Sequence, residues 1–160
     1  MTTRPDRPLG AIPLETMAKL SGLELFTRMI AGELPSPPVS EVSNQWMTSV
    51  EKGRVTWTCS PPANFVNPMG GVHGGWAMTV LDSALACAVH SALPAGRGYT
   101  TVEVKTNLTR APRLGETYTC LGEVITLGRS IGTSEAKLVD QDGRVMAFGT
   151  TTCLIMDMPG

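Results

Sequence analysis

The chain is short of the residues that bind metals and of any surplus of charge. Its 160 residues include two histidines, His73 and His90, and four cysteines, Cys59, Cys87, Cys120 and Cys153. The cysteines are far apart and form no CxxC pair, a distribution that argues against a zinc site and implies no metal. Thirteen Lys and Arg against 14 Asp and Glu leave a formal net charge of −1. With these charges scattered along the chain, neither a nucleic-acid groove nor a polybasic membrane anchor is expected. Residues 1–9 carry Arg4, Pro5, Arg7 and Pro8 but no apolar signal-peptide core, so the expectation is a cytoplasmic protein with reduced thiols. No apolar run reaches the roughly 20 residues of a comfortable membrane span. A chain of this length is expected to form one domain with its own core.

The most informative stretch is residues 67–82, which begins as a glycine-rich turn and becomes a helix. Gly70, Gly71, Gly74 and Gly75 crowd around His73, so the backbone can come close to another group there. From Trp76 to Ser91 nearly every residue is apolar, the pattern of a helix buried on all sides. Asp82 interrupts it, and no Lys or Arg lies on the helix to pair with it. A carboxylate taken out of water is costly unless it is paired or put to use. Burial is expected to raise its pKa and make it a better base than a solvated aspartate.

Around this helix the chain reads in order as follows. Residues 1–13 form a flexible tail, and 14–39 an N-terminal helical extension with a proline-rich link. Leu14, Met17, Leu20, Leu23, Phe26 and Met29 recur at near-helical spacing, predicting one amphipathic helix over 14–31 that Gly22 weakens. Prolines predict an extended segment over 34–39. The core occupies 40–157. It starts with a hairpin, 45–50 and 54–59, turning at Lys52-Gly53. After the central helix come strands over 99–109, 117–127, 131–139 and 145–156, with Asp142-Gly143 as a tight turn. Consecutive strands with short connections give an antiparallel sheet, and only that sheet is large enough to cover the apolar helix. The predicted fold is α+β, a hotdog arrangement in which a curved antiparallel sheet of about six strands wraps a long central helix.

These residues carry a family resemblance. Asn67-Pro68, the run Gly70-Gly71-Val72-His73-Gly74-Gly75, and Asp82 nine residues after His73 resemble the acyl-CoA thioesterases of the phenylacetate-degradation (PaaI-like) type. The stretch 100–105 and Leu127-Gly128-Arg129-Ser130 also follow that pattern, and the likeness covers roughly residues 40–156. It implies a hotdog homodimer, usually paired again into a tetramer, that hydrolyses an acyl-CoA to free acid and CoA with no cofactor. It further implies that Asp82 acts as general base or nucleophile and that the Gly74 N–H binds the thioester oxygen. Asn67 would orient substrate or water, and Thr101 would hold the nucleophilic water. One branch of the family has a Thr four residues after the acid; this chain has Ala86, which leaves water positioning to Asn67 and Thr101.

The chemistry can also be weighed without the resemblance. A helix N-terminus offers unpaired N–H groups and partial positive charge to a developing oxyanion, and Gly74 and Gly75 leave room for a carbonyl. Gly74 and Asp82 are, however, roughly 12 Å apart along an ideal helix. One helix can hardly supply both, so the expected site is shared between two antiparallel copies. His73 serves either as a base or, by preference, as a group that fixes the turn. Arg110, Arg113, Arg129 and Ser130 are candidates for the CoA phosphates. His90, near the helix end, is expected to cap the dipole. Phe65, Met69, Trp76 and Met78 either line an acyl pocket or pack in the core. The alternatives are a non-catalytic acyl-CoA-binding protein, because fold does not fix function, and a hotdog enoyl-thioester hydratase or dehydratase.

Overall fold

A computed structural model of the chain describes residues 4–158. Three short helices come first: α1 (Leu14–Ala18), α2 (Gly22–Ala31) and α3 (Pro38–Ser43). The hairpin β1 (Gln45–Glu51) and β2 (Arg54–Cys59) follows, then the long helix α4 (Gly74–Ser91). Strands β3 (Arg97–Leu108), β4 (Tyr118–Leu127), β5 (Ile131–Val139) and β6 (Val145–Asp157) complete the chain. The six strands form one antiparallel sheet in the order β1-β2-β4-β5-β6-β3, the curved sheet around a helix that the sequence predicts.

Helix and sheet meet through apolar packing supplemented by a few polar ties. Trp76, Val80, Leu81, Ala84, Leu85, Ala88 and Val89 of α4 are fully buried. The hydroxyl of Ser134 on β5 donates to the Leu85 carbonyl at 2.7 Å, and the Gly53 N–H donates to Ser91 Oγ at 2.9 Å. Gly122 of β4 lies so close to the Ala84 carbonyl that a Cβ would overlap it. A glycine there lets the sheet reach the helix backbone.

The N-terminal segment departs from expectation in three places. The single helix over 14–31 is two helices, because Ser21 caps α2 in a capping box with Glu24. Gly22 is the first residue of α2, not a weak point inside a helix, and its bare Cα packs against the His90 carbonyl. Pro38 does not prolong the extended link. It opens α3, where its missing N–H costs nothing. The supposed flexible tail is also tied down: Ser36 N–H donates to the Pro8 carbonyl at 2.8 Å, Gly10 N–H to the Ser36 carbonyl at 3.0 Å, and Arg7 Nη1 to the Met47 carbonyl at 2.9 Å. Residues 1–3 of that tail lie outside the described residues.

His90 is the other departure. Its ring is buried between Phe26 and Tyr99, with centroid separations of 5.3 and 5.2 Å. Burial pushes its pKa down to about 4, so it is neutral near pH 7 and brings no charge to the helix dipole. An unfolded chain takes up this proton near pH 6.5, while the folded one resists until about pH 4. Stability is therefore full above pH 6.5 and falls as the pH drops toward 4. The expected loss is on the order of 3 kcal/mol. Urea unfolding at pH 7.5 and 4.5 should show a steeper decline in the wild type than in His90→Phe; equal declines would exclude this origin.

Candidate active site

The glycine-rich turn is built around Asn67. Its side-chain oxygen accepts the N–H groups of Met69 (2.9 Å) and Gly71 (3.1 Å), and its own N–H donates to the Gly71 carbonyl at 2.8 Å. Gly70 takes φ +82°, a left-handed conformation that favours glycine. A bridge between Val66 and Val72 closes the loop. Asn67 is thus engaged mainly with the loop backbone; its amide nitrogen makes one long contact, 3.5 Å to the Val72 carbonyl.

His73 then starts α4. Its Nδ1 accepts the Gly75 N–H at 2.9 Å, so a neutral ring carries its proton on Nε2. The His73 carbonyl accepts the Trp76 N–H at 3.0 Å. Among the described residues, the Gly74 N–H has no acceptor. A helix normally leaves several N–H groups free at its start; here the neighbouring ones are satisfied and Gly74 presents the open donor. Leu108, at the end of β3, lies against Gly74, where its Cδ1 would be 2.6 Å from a Cβ.

Asp82 does not lie sunk in the core as its apolar neighbours suggest. The sheet covers only part of α4, and Met78 and Asp82, one turn apart, are both exposed. The carboxylate has neither a hydrogen-bond donor nor a cationic partner among the described residues. The flanking protein still removes enough water to raise its pKa.

Strands β3 and β6 bring further groups into the neighbourhood of Asp82. Thr101 pairs with Cys153 across that ladder, beside a bulge at Val102. Burial raises the Cys153 pKa, the hydroxyls of Thr101 and Thr151 offset part of that, and the Asp82 charge adds to it. The same charge reinforces the upward push that burial gives Cys87 and Tyr99. Thr101 and Asp82 therefore share one neighbourhood, together with Cys87, Tyr99 and Cys153. Cys87 lies on α4 itself, five residues after Asp82, whereas Tyr99 and Cys153 had no local signal, because only strand pairing brings them to α4.

The phosphate-site candidates split into two groups. Arg110 donates to the Val145 carbonyl at 2.8 Å, and Arg113 lies 3.8 Å from Glu116; both line a cavity of about 330 Å³ beyond the Leu108 end of β3. Arg129 and Ser130 occupy the turn beside Arg97, whose guanidinium donates to the Arg129 carbonyl at 2.6 Å. The twelve residues of β3 separate the groups by roughly 35 Å, so one chain does not bring them together. Gly75 faces its own cap, with His73 Nδ1 only 2.8 Å from where a Cβ would lie. Trp76 is core, fully buried and donating to the Ser43 carbonyl at 2.8 Å, whereas Met69 is 91% exposed at the loop tip. Among the described residues no cluster of three or more His, Cys, Asp or Glu could hold a metal ion, and no helix is long and apolar enough to cross a membrane.

Comparison with known proteins places this geometry in context. The family model of the Thioesterase superfamily matches residues 69–147, from the glycine loop through α4 into β6. A phenylacetic acid degradation-related protein of Ralstonia eutropha is 27% identical with a TM-score of 0.73, over 81% of this chain and 98% of that one. A Streptococcus mutans protein bound to acetyl-CoA is 25% identical with a TM-score of 0.66, over 73% and 92%. PaaI of E. coli, from the phenylacetic acid degradation operon, shares the fold at 20% identity and a TM-score of 0.67, over 77% and 85%. No curated protein matches the sequence significantly. The family match falls on the glycine loop and on the helix that the sheet encloses, and together with the phenylacetic acid degradation-related neighbour it supports a PaaI-like hotdog thioester hydrolase.

Proposed function

We propose that the chain hydrolyses acyl-CoA thioesters in a site shared by two copies, with Asp82 of one copy facing Gly74 of the other. The observation that carries this is a pair of groups on one side of α4 that are unsatisfied among the described residues: the Gly74 N–H without an acceptor and the Asp82 carboxylate without a donor. An unpaired donor at a helix start suits the oxygen of a polarised thioester, and a carboxylate of raised pKa suits a water proton. The acetyl-CoA bound to the S. mutans relative supports the CoA thioester as substrate.

In this reading Asp82 takes a proton as water attacks the thioester carbon, and the oxyanion forms against the Gly74 N–H. The C–S bond then breaks, and the proton held by Asp82 passes to the departing CoA sulfur. Direct attack by Asp82, through an acyl-enzyme anhydride that water then opens, uses the same placement. Thr101 holds the water. Asn67 acts mainly by fixing the loop that presents Gly74, with its amide nitrogen as the remaining contact for substrate. Arg110 and Arg113 lie at the Gly74 end of β3, where they can meet the CoA phosphates; Arg129 and Ser130 lie at the far end and reach that site only from a second chain.

Pairing of copies is supported by the free edge of β3, where Val102, Val104 and Leu108 are exposed. Leu121, Ile125, Leu127 and Phe148 are likewise exposed on the sheet, a surface suited to a dimer of dimers.

Asp82→Asn is expected to fold normally and lose on the order of 10²-fold or more in turnover. The wild-type rate should fall as the pH drops through the Asp82 pKa, at a higher pH than an ordinary aspartate gives, since burial raises that pKa. Unchanged turnover in the variant would end the assignment.

Sharing is tested separately with Gly74→Pro. A proline at the first helical position deletes the N–H with little harm to the helix, the flexible end of the Leu108 side chain must move aside for the ring, and the preceding His73 already has the extended ψ of 133° that a proline requires. Each variant alone should be inactive, and mixed dimers should regain activity through their one intact site. Absence of recovery in verified mixed dimers would place both groups in one chain.

His73 is assigned to the helix cap. His73→Ala should lower stability by about 1 kcal/mol, and His73→Asn, which keeps an acceptor for the Gly75 N–H, by less. Both should retain far more activity than Asp82→Asn; equal inactivation of His73→Asn would make His73 the base.

A further inference from the structure

A cavity of about 480 Å³ lies under the N-terminal helices. Those helices precede the family match, which starts at residue 69. Met17, Leu25, Phe26 and Met29 form the outer wall, and Met156 and Met158 close it from β6 and beyond. From the core side it is lined by Cys87 and His90 of α4 and by Gly98 and Tyr99 of β3. Its polar groups are few: the neutral His90 ring, the Tyr99 phenol, and Asp157, which is held by Arg97 at 2.8 Å. The size is that of a small-molecule site, and methionine walls adapt to flexible apolar guests.

Its position is as telling as its composition. Tyr99 precedes Thr101 by two residues on β3, and Cys87 and His90 follow Asp82 on α4. The cavity's inner wall thus lies farther along the same two elements that carry Asp82 and Thr101, with Cys87 five residues beyond Asp82 on α4. From Asp82 to His90 the helix rises roughly 12 Å, the length of about ten carbons joined by C–C bonds of ~1.5 Å in zigzag.

We propose that this cavity receives the acyl part of the thioester, that the acyl group is an unbranched aliphatic chain of up to about ten carbons, and that α1 and α2 set its length. This rests on the acyl-CoA hydrolase reading given above. The few polar groups disfavour a hydroxylated aryl acyl group, and the packing of Phe26 on His90 ends the channel.

The test is kcat/KM over acetyl-, hexanoyl-, decanoyl-, palmitoyl- and phenylacetyl-CoA for the wild type and two cavity-filling variants. Cys87→Phe fills the inner wall, and Met17→Trp fills the outer one. Wild-type kcat/KM should rise up to about fourfold per methylene, peak near decanoyl and drop for palmitoyl. Cys87→Phe should lower the hexanoyl-to-acetyl and decanoyl-to-acetyl ratios at least tenfold; Met17→Trp should lower kcat/KM for decanoyl-CoA while leaving the hexanoyl-to-acetyl ratio unchanged. A flat chain-length profile, a phenylacetyl optimum, or unaltered ratios in both variants would overturn the proposal.

If no acyl-CoA is hydrolysed, the enzymatic reading fails and the cavity is judged by titration calorimetry with decanoic acid. Binding to the wild type that weakens at least tenfold in Cys87→Phe would uphold the cavity as an aliphatic site. Absence of binding, or equal binding by the variant, would overturn it.

Discussion

Everything in this fold follows from the need to cover α4. Its side chains are too apolar to face water, and the only surface large enough to take them is the six-stranded sheet. Burial of this one element draws in β2, β4, β5 and β6, and at Gly122 it brings strand backbone against the helix carbonyl of Ala84. A sheet wraps only part of a helix, however. The uncovered line through Met78 and Asp82 is what remains, and that incompleteness sets up the chemistry.

The start of the same helix is organised by hydrogen bonding rather than by burial. Asn67 spends its carboxamide oxygen on two loop N–H groups, and His73 spends Nδ1 on the Gly75 N–H. These bonds use up donors that would otherwise compete with Gly74. A histidine and an aspartate on one helix invite a catalytic reading for both. The geometry separates them: His73 is bound into the cap, whereas Asp82 carries no partner among the described residues.

The N-terminal segment adds a second layer. It is pinned to the body at Arg7 and where Gly22 meets the C-terminal end of α4, and the pairing of Leu9 with Ser36 ties its own two ends together. It thereby closes a methionine-lined cavity against the far half of α4. His90, enclosed by Phe26 and Tyr99, becomes an apolar wall of that cavity rather than a charged end of the helix.

Element type was legible in the sequence wherever the signal was local. Strand alternation, the Lys52-Gly53 and Asp142-Gly143 turns, the glycine loop before α4 and the unpaired acid on it depend on neighbouring residues, and the chain states them directly. The division of 14–31 at Ser21 was also local, but a run of apolar residues at helical spacing masked the capping box. Other features had no local trace. Which side of α4 stays bare, the pairing that sets Thr101 against Cys153 in the neighbourhood of Asp82, the separation of Arg110 and Arg113 from Arg129, and the enclosure of His90 all depend on residues tens of positions apart. Periodicity says that a helix must be buried; only the paired strands and the docked N-terminal segment decide which of its faces is covered and by what.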